Sequence, residues 1–444
     1  MSKLNAANNF VTKYFQKWAD KRPRQYVSIW VTSWVAAAWS WDGIFWGWNI
    51  WVDDLFKIFY GDVEYTMSRG GPVFAFALII FFAGWASTFM SLMRLQDPNA
   101  KLNVFRWFTL HGGGSHRTWY SIGLVGGTVS AVLMGVAVQY TLLWLLCIGC
   151  AFFGISLACM QPITRYVAIL SFHSVGQKGV GIGLKGAMPG IWAASFAYWG
   201  LALSDSLSIQ TAIYIAAGVS AALALVVIPF TEVSVPQLSK YRKHSQERLT
   251  SHGTPLSIQQ IIRTPQIWLM WVAFLFMMTP GFGIKYLISP MIANVYGASS
   301  STQSLASFLF LMLYAVARFV GGALDYLVDP MIIFRVLTLL AVPVFIVQGW
   351  LATQYDSKAA LYGFITCQCL VGMVLGASKV LISLLCFNIF KAVNFVRCFS
   401  LLWSTFGTAA VVGLAAVGLA AVDKDEDVSL TSFQRILDMK GLRK

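Results

Sequence analysis

The sequence predicts an all-α polytopic membrane protein built from two fused sets of helices, and three observations carry that reading. Hydrophobic residues make up 57% of the 444 positions and charged residues 11%, with a mean hydropathy of +0.67, whereas a soluble domain is roughly a quarter charged. Apolar runs long enough to cross a bilayer, about 20 residues at a helical rise, recur eleven times. Finally, the charges collect between those runs, and the longest polar stretch, Thr231 to Thr264, falls near the middle. Runs of this length satisfy their backbone groups only as helices, since barrel strands would be short and alternating.

Taken in order, residues 1–26 carry Lys3, Lys13, Lys17, Lys21, Arg22 and Arg24 against Asp20, which places the amino terminus on the cytoplasmic side. No short leader with a small-residue cleavage site precedes the first run, so this end is expected to stay on. A first membrane half, 27–231, holds spans near 27–51, 73–93, 119–139, 142–170, 179–203 and 209–231. The first span exits into an acidic loop with Asp53, Asp54, Asp62 and Glu64, and the next loop is basic, with Arg94, Lys101, Arg106 and Arg117. Residues 232–266 form a basic linker carrying Lys240, Arg242, Lys243, Arg248 and Arg263. The second half, 267–422, holds spans near 267–290, 304–327, 331–352, 360–388 and 398–422, and a polar tail follows from 423 to 444. Two sets of helices around a long basic linker is the plan of many secondary transporters.

Several function classes fall away. The net charge of +14 comes from residues that orient membrane spans, so nucleic acid is not a partner. All seven cysteines lie in or beside apolar runs and read as packing residues; the pair Cys147 and Cys150 has no second pair or histidine near it. A metal site in HGGGSH, residues 111–116, is not expected. Gly181 to Gly186 spells GxGxxG, yet no strand precedes it, and the glycines read as helix contacts. There is no GxxxxGK[ST] loop, so no nucleotide engine and no cofactor is expected.

Charge inside the apolar runs is the functional signal. The stretch SLASFLFLMLYAVARFVGGALD, Ser304 to Asp325, encloses Arg318. A guanidinium stays charged, at roughly 2.5 to 3.5 kcal/mol near a bilayer centre, so it faces a bundle interior, a watery cavity or an anion, or else snorkels to the interface. By helical rise, Arg318, Lys379 and Lys185 fall at one depth, roughly 5 to 10 Å to the cytoplasmic side of their span middles. Asp42 on the first span and Lys285 on the seventh lie outward of the middle and form a candidate pair; alternatively, Asp42 takes up a proton that travels with the substrate. Each lysine has the alternative of reaching an interface on its long stem, and Arg165 is expected to do so. Embedded cations outnumber embedded anions, which favours an anionic cargo. Trp34, Trp41, Trp46 and Trp48 are interfacial or packing groups, or cap an aliphatic cargo or close the outer gate.

Three segments, TPGFG at Thr279 to Gly283, ARFVGGALD at Ala317 to Asp325 and KAVNFVRCFSLLWSTFGTAAVVG at Lys391 to Gly413, resemble the oxalate/formate antiporter and monocarboxylate porter branch of the major facilitator superfamily. QPITRYVAILSFHSVGQKGVGIGLKGAMPG, from Gln161 to Gly190, adds an echo in the first half. The resemblance implies the major facilitator fold, with two repeats of six-helix type of which eleven spans are counted. It implies that Arg318 contacts a carboxylate and that Asp325 belongs to a cytoplasmic gating loop. The chain departs from the branch at Tyr326, where an arginine is usual, and at Phe406, where the oxalate antiporters place a lysine. The expectation is a monomeric, multi-pass protein of the cell membrane that moves a mono- or dicarboxylate by exchange or with a proton. Arg318, Lys379, Lys185 and Lys285 would bind the substrate, and Asp42 and Asp325 would couple and gate. A transporter-like sensor, or a porter of neutral or cationic metabolites, is the alternative.

Overall fold

In lipid a backbone has no hydrogen-bond partner but itself, and every regular element among the described residues is accordingly helical. The computed structural model describes residues 51–61, 71–92, 116–173, 178–227, 256–351, 354 and 357–422. The elements are α1 (Val52–Tyr60), α2 (Gly71–Leu92), α3 (His116–Gln139), α4 (Leu143–His173), α5 (Lys178–Ser206), α6 (Ile209–Val227), α7 (Ile258–Arg263), α8 (Pro265–Tyr296), α9 (Ser300–Ala323), α10 (Pro330–Leu351) and α11 (Lys358–Val422). A 3-10 turn, Leu324–Tyr326, extends α9.

Local chemistry sets the boundaries. α7 begins at a capping box in which Ser257 and Gln260 satisfy each other's backbone N–H. α8 carries Pro265 in its first turn, where no donor is lost, and ends at Gly297 in the left-handed conformation. Asp329 accepts from the Met331 N–H at 2.7 Å and starts α10. α3 and α4 are joined by a turn at Thr141, whose φ is 53°, closed by the Leu142 N–H on the Ala137 carbonyl.

Eight helical segments among the described residues are long and apolar enough to cross a membrane, and the chain is an integral, multi-pass membrane protein. The span expected at 27–51 lies almost wholly outside the described residues. The spans expected at 360–388 and 398–422 join in one 65-residue element, broken only at Lys391 with φ 61° and ψ 168°. There the chain folds back, and the rings of Phe387 and Phe395 meet 6.0 Å apart across the break. No loop is needed because one residue absorbs the reversal.

The halves meet along two seams, α5 against α9 and α2 against the second arm of α11. Glycine makes both possible. A Cβ on Gly183 would lie 2.9 Å from the Phe319 carbonyl oxygen and 3.0 Å from that of Arg318. One on Gly407 would lie 2.7 Å from the Phe81 Cα. Gly179, Gly183, Gly186 and Gly190 therefore line the face of α5 that takes α9, which is the work of the GxGxxG-like segment. α10 leans on α11 at the edge of the bundle.

Candidate functional site

Where the seams converge, the described interior holds five cations: Lys185, Lys285 and Lys379 at 1% exposure, Arg318 at 3% and Arg165 at 4%. The carboxylate of Asp325 is also largely buried, its side chain 6% exposed, but it stands against Lys178 and not among these five. Such charge persists in a membrane interior only if other groups take the place of water, and at Arg165, Lys185, Arg318 and Lys379 aromatic faces and protein carbonyls do so.

Arg318 projects from the seam face of α9. Its guanidinium carbon lies 4.1 Å from the ring centre of Tyr314, one turn earlier on the same helix, and Nη1 donates to the Gly186 carbonyl on α5. Lys379, on the first arm of α11, places its ammonium among four rings: Phe282 at 5.0 Å, Phe406 at 5.1 Å, Tyr314 at 5.6 Å and Trp403 at 5.8 Å. An ammonium over ring faces is held by their quadrupoles, most strongly where water is excluded. Lys185 donates to Gln161 Oε1 on α4 at 3.0 Å.

Arg165 departs from expectation. Rather than reaching the inner interface, it crosses from α4 to α11, where Nη1 donates to Ser383 Oγ at 2.6 Å and to the Lys379 carbonyl at 3.2 Å. Its guanidinium lies 4.3 Å from the Trp403 ring and 4.7 Å from that of Phe399. Two rings one turn apart on α11 thus make the burial of this arginine tolerable.

Lys285 is buried on α8 one turn beyond Phe282, on the same side of that helix as a ring of the Lys379 cage. Asp42 lies outside the described residues, and so does the pair expected between it and Lys285. Asp325 stands 3.8 Å from Lys178 on α5, which also donates to Asn388 Oδ1 on α11 at 2.6 Å. That link ties three helices beside the Gly179–Gly322 contact. Phe406, at the position of the missing lysine, packs on Trp403 at 4.4 Å; the charge beside it comes from Lys379 on the neighbouring arm. The seven cysteines are free.

No protein-family model matches the chain, and no curated protein matches it. Solved structures do. The crystal structure of the nucleoside transporter NupG matches with a TM-score of 0.55 at 14% identity, over 92% of this chain and 95% of that one. The outward conformation of FucP, a major facilitator superfamily transporter, matches with a TM-score of 0.54 at 11% identity, over 92% and 96%. The chain has the major facilitator fold. At such identities the likeness is one of architecture, and it does not extend to the oxalate/formate branch or to any substrate. Within the major facilitator fold, Arg165 and Lys185 stand on helices of the first half and Arg318, Lys379 and Lys285 on helices of the second.

The rings were the part sequence reading missed. Tyr314 sits four residues before Arg318, Phe399 and Trp403 four apart, and Trp403 three before Phe406. Helical spacing of rings around a lone cation is a usable signal, but in a chain that is 15% aromatic it is easily lost.

Proposed function

We propose that this chain is a secondary transporter that carries a small organic anion, a mono- or dicarboxylate, across the membrane by alternating access. The observation that supports it most is the excess of buried positive charge: five buried cations from both halves, against one largely buried carboxylate, Asp325, which stands beside Lys178. A cationic cargo would be repelled from such a place, and a neutral one would make no use of it, whereas an anion gains field from every member. Three of the five, Arg318, Lys379 and Arg165, join in one network through the rings of Tyr314 and Trp403, so a bound anion is felt by both halves.

Arg318 is the primary ligand for the carboxylate. Lys379 supplies the second charge, and Lys185 and Lys285 add to the field. Asp325 with Lys178 closes the linker side when α5 and α9 approach. Asp42 couples, either by pairing with Lys285 or by carrying a proton with the substrate. The amino-terminal segment, residues 1–26, lies on the cytoplasmic side of the cell membrane, and transport is exchange or proton symport. The resemblance of ARFVGGALD and its neighbours to the carboxylate-porter branch supports the same cargo.

Uptake by the reconstituted full chain from a panel of radiolabelled monocarboxylates, dicarboxylates, sugars, nucleosides and amino acids tests this. Uptake is expected for a carboxylate. Arg318→Ala is expected to abolish it in protein that still inserts and elutes as a single species. Arg318→Lys should keep a weak remnant, because charge survives while the planar fork does not. Normal carboxylate uptake by the alanine variant, or uptake of nucleosides alone by the parent, refutes the reading.

A further inference from the structure

Building on the anion-carrier reading, we propose that the cargo carries two separate acidic groups, the second held at a subsite made by Arg165, Lys379 and the indole N–H of Trp403. The five buried cations do not form a single point of charge. Lys379 stands between two arginine-and-ring units: its ammonium is 5.6 Å from the Tyr314 ring, on which Arg318 stacks, and 5.8 Å from the Trp403 ring, on which Arg165 stacks. One ammonium flanked by two guanidinium groups on two different rings matches two oxyanion groups better than one.

A second observation points to the Arg165 side. Trp403 is buried, and its Nε1–H has no hydrogen-bond acceptor among the described residues. One turn earlier, the buried Ser400 hydroxyl oxygen also lacks a partner there. Buried polar groups are paired as a rule, and an indole N–H is a donor only, so its partner must be an acceptor. Beside Arg165 and Lys379, the acceptor that gains most is an anionic oxygen, whose hydrogen bonds are shorter and stronger than neutral ones.

The subsite is also the one that spans the halves. Arg165 belongs to α4 of the first half, and Lys379, Ser400 and Trp403 belong to α11 of the second. A cargo anchored at Arg318 by one acid group and reaching Arg165 with the other therefore touches both moving bodies.

The test uses the full chain, purified in detergent and titrated with butyrate and succinate, acids of equal chain length bearing one and two carboxylates. The parent is expected to bind succinate about 10- to 100-fold more tightly, the increment of an added charge-assisted hydrogen-bonded contact. Trp403→Phe keeps a ring under Arg165 and removes the N–H; it should lower the succinate-to-butyrate ratio about tenfold, and Arg165→Gln should bring the ratio close to unity. If Trp403→Phe leaves the ratio unchanged and Arg165→Gln weakens both acids equally, the subsite is overturned and Arg165 is a packing group. If the parent binds succinate no better than butyrate, the subsite is again overturned, while the anion-carrier reading stands provided Arg318→Ala abolishes binding of both. If the parent binds neither acid, both proposals fall.

Discussion

Arg165 and Arg318 are buried to almost the same degree, and each reaches a carbonyl in the opposite half, yet they are held differently. Arg318 stacks on Tyr314 of its own helix and touches the first half through the Gly186 carbonyl. Arg165 stacks on Phe399 and Trp403 of the other half and donates to Ser383 and the Lys379 carbonyl there as well. Parting the halves would leave Arg318 with its ring and would strip Arg165 of every one of these contacts. Arg318 keeps its ring within its own half, whereas Arg165 is held by the other half.

The largest expected effect breaks that contrast directly. Arg165→Gln should raise the labelling rate of a cysteine placed at Asn388 by a membrane-impermeant maleimide about tenfold, since a stacked, doubly bonded guanidinium is worth about 1.5 to 3 kcal/mol. Arg318→Gln should change the same rate far less, and equal rises in both would erase the distinction.

Next comes the seam itself. Gly183→Val would drive a side chain into the Phe319 and Arg318 carbonyls, at a cost of about 1 to 3 kcal/mol by overpacking, seen as a lower unfolding temperature in detergent. Gly218→Ala, where a Cβ meets nothing within 4 Å, is the control and should be neutral or slightly stabilising because it lies inside helix α6.

Asp325→Asn should matter less still. The two groups stand 3.8 Å apart with Lys178 26% and Asp325 6% exposed, and Lys178 keeps its hydrogen bond to Asn388; since asparagine still presents an oxygen to Lys178, the loss is about 1 kcal/mol. A small drop in transport rate with an unchanged unfolding temperature is expected; abolished folding would contradict it. The smallest effect is at Lys391, which holds a backbone conformation that glycine adopts freely. Lys391→Gly should raise the unfolding temperature slightly, relieving about 1 kcal/mol of strain after the added chain entropy is subtracted.

The helical bundle was legible because apolar runs of span length admit one backbone solution, and Arg318 because a guanidinium inside such a run has few places to go. The break at Lys391 was not, since neither glycine nor proline marks it and one residue does what a loop was expected to do. Arg165 was misjudged for a different reason. Depth along a helix can be counted from sequence, but the face it points from is set by α11, more than 200 positions away, whose Phe399 and Trp403 receive it. The cage at Lys379 draws its rings from α8, α9 and α11, a convergence no local pattern encodes.

A single residue, Leu256, fixes where the second set of helices begins. The N–H of Leu256 is taken by Asn394 Oδ1 at 2.8 Å, and its carbonyl by Arg397 Nη1 at 2.9 Å. With both polar atoms clasped by the last helix arm, the incoming chain is moored just ahead of α7, and α8 inherits its starting point from that mooring. The register of α8 against the last arm of α11 is thereby set at Leu256 itself, by side chains that arrive from the far end of the chain.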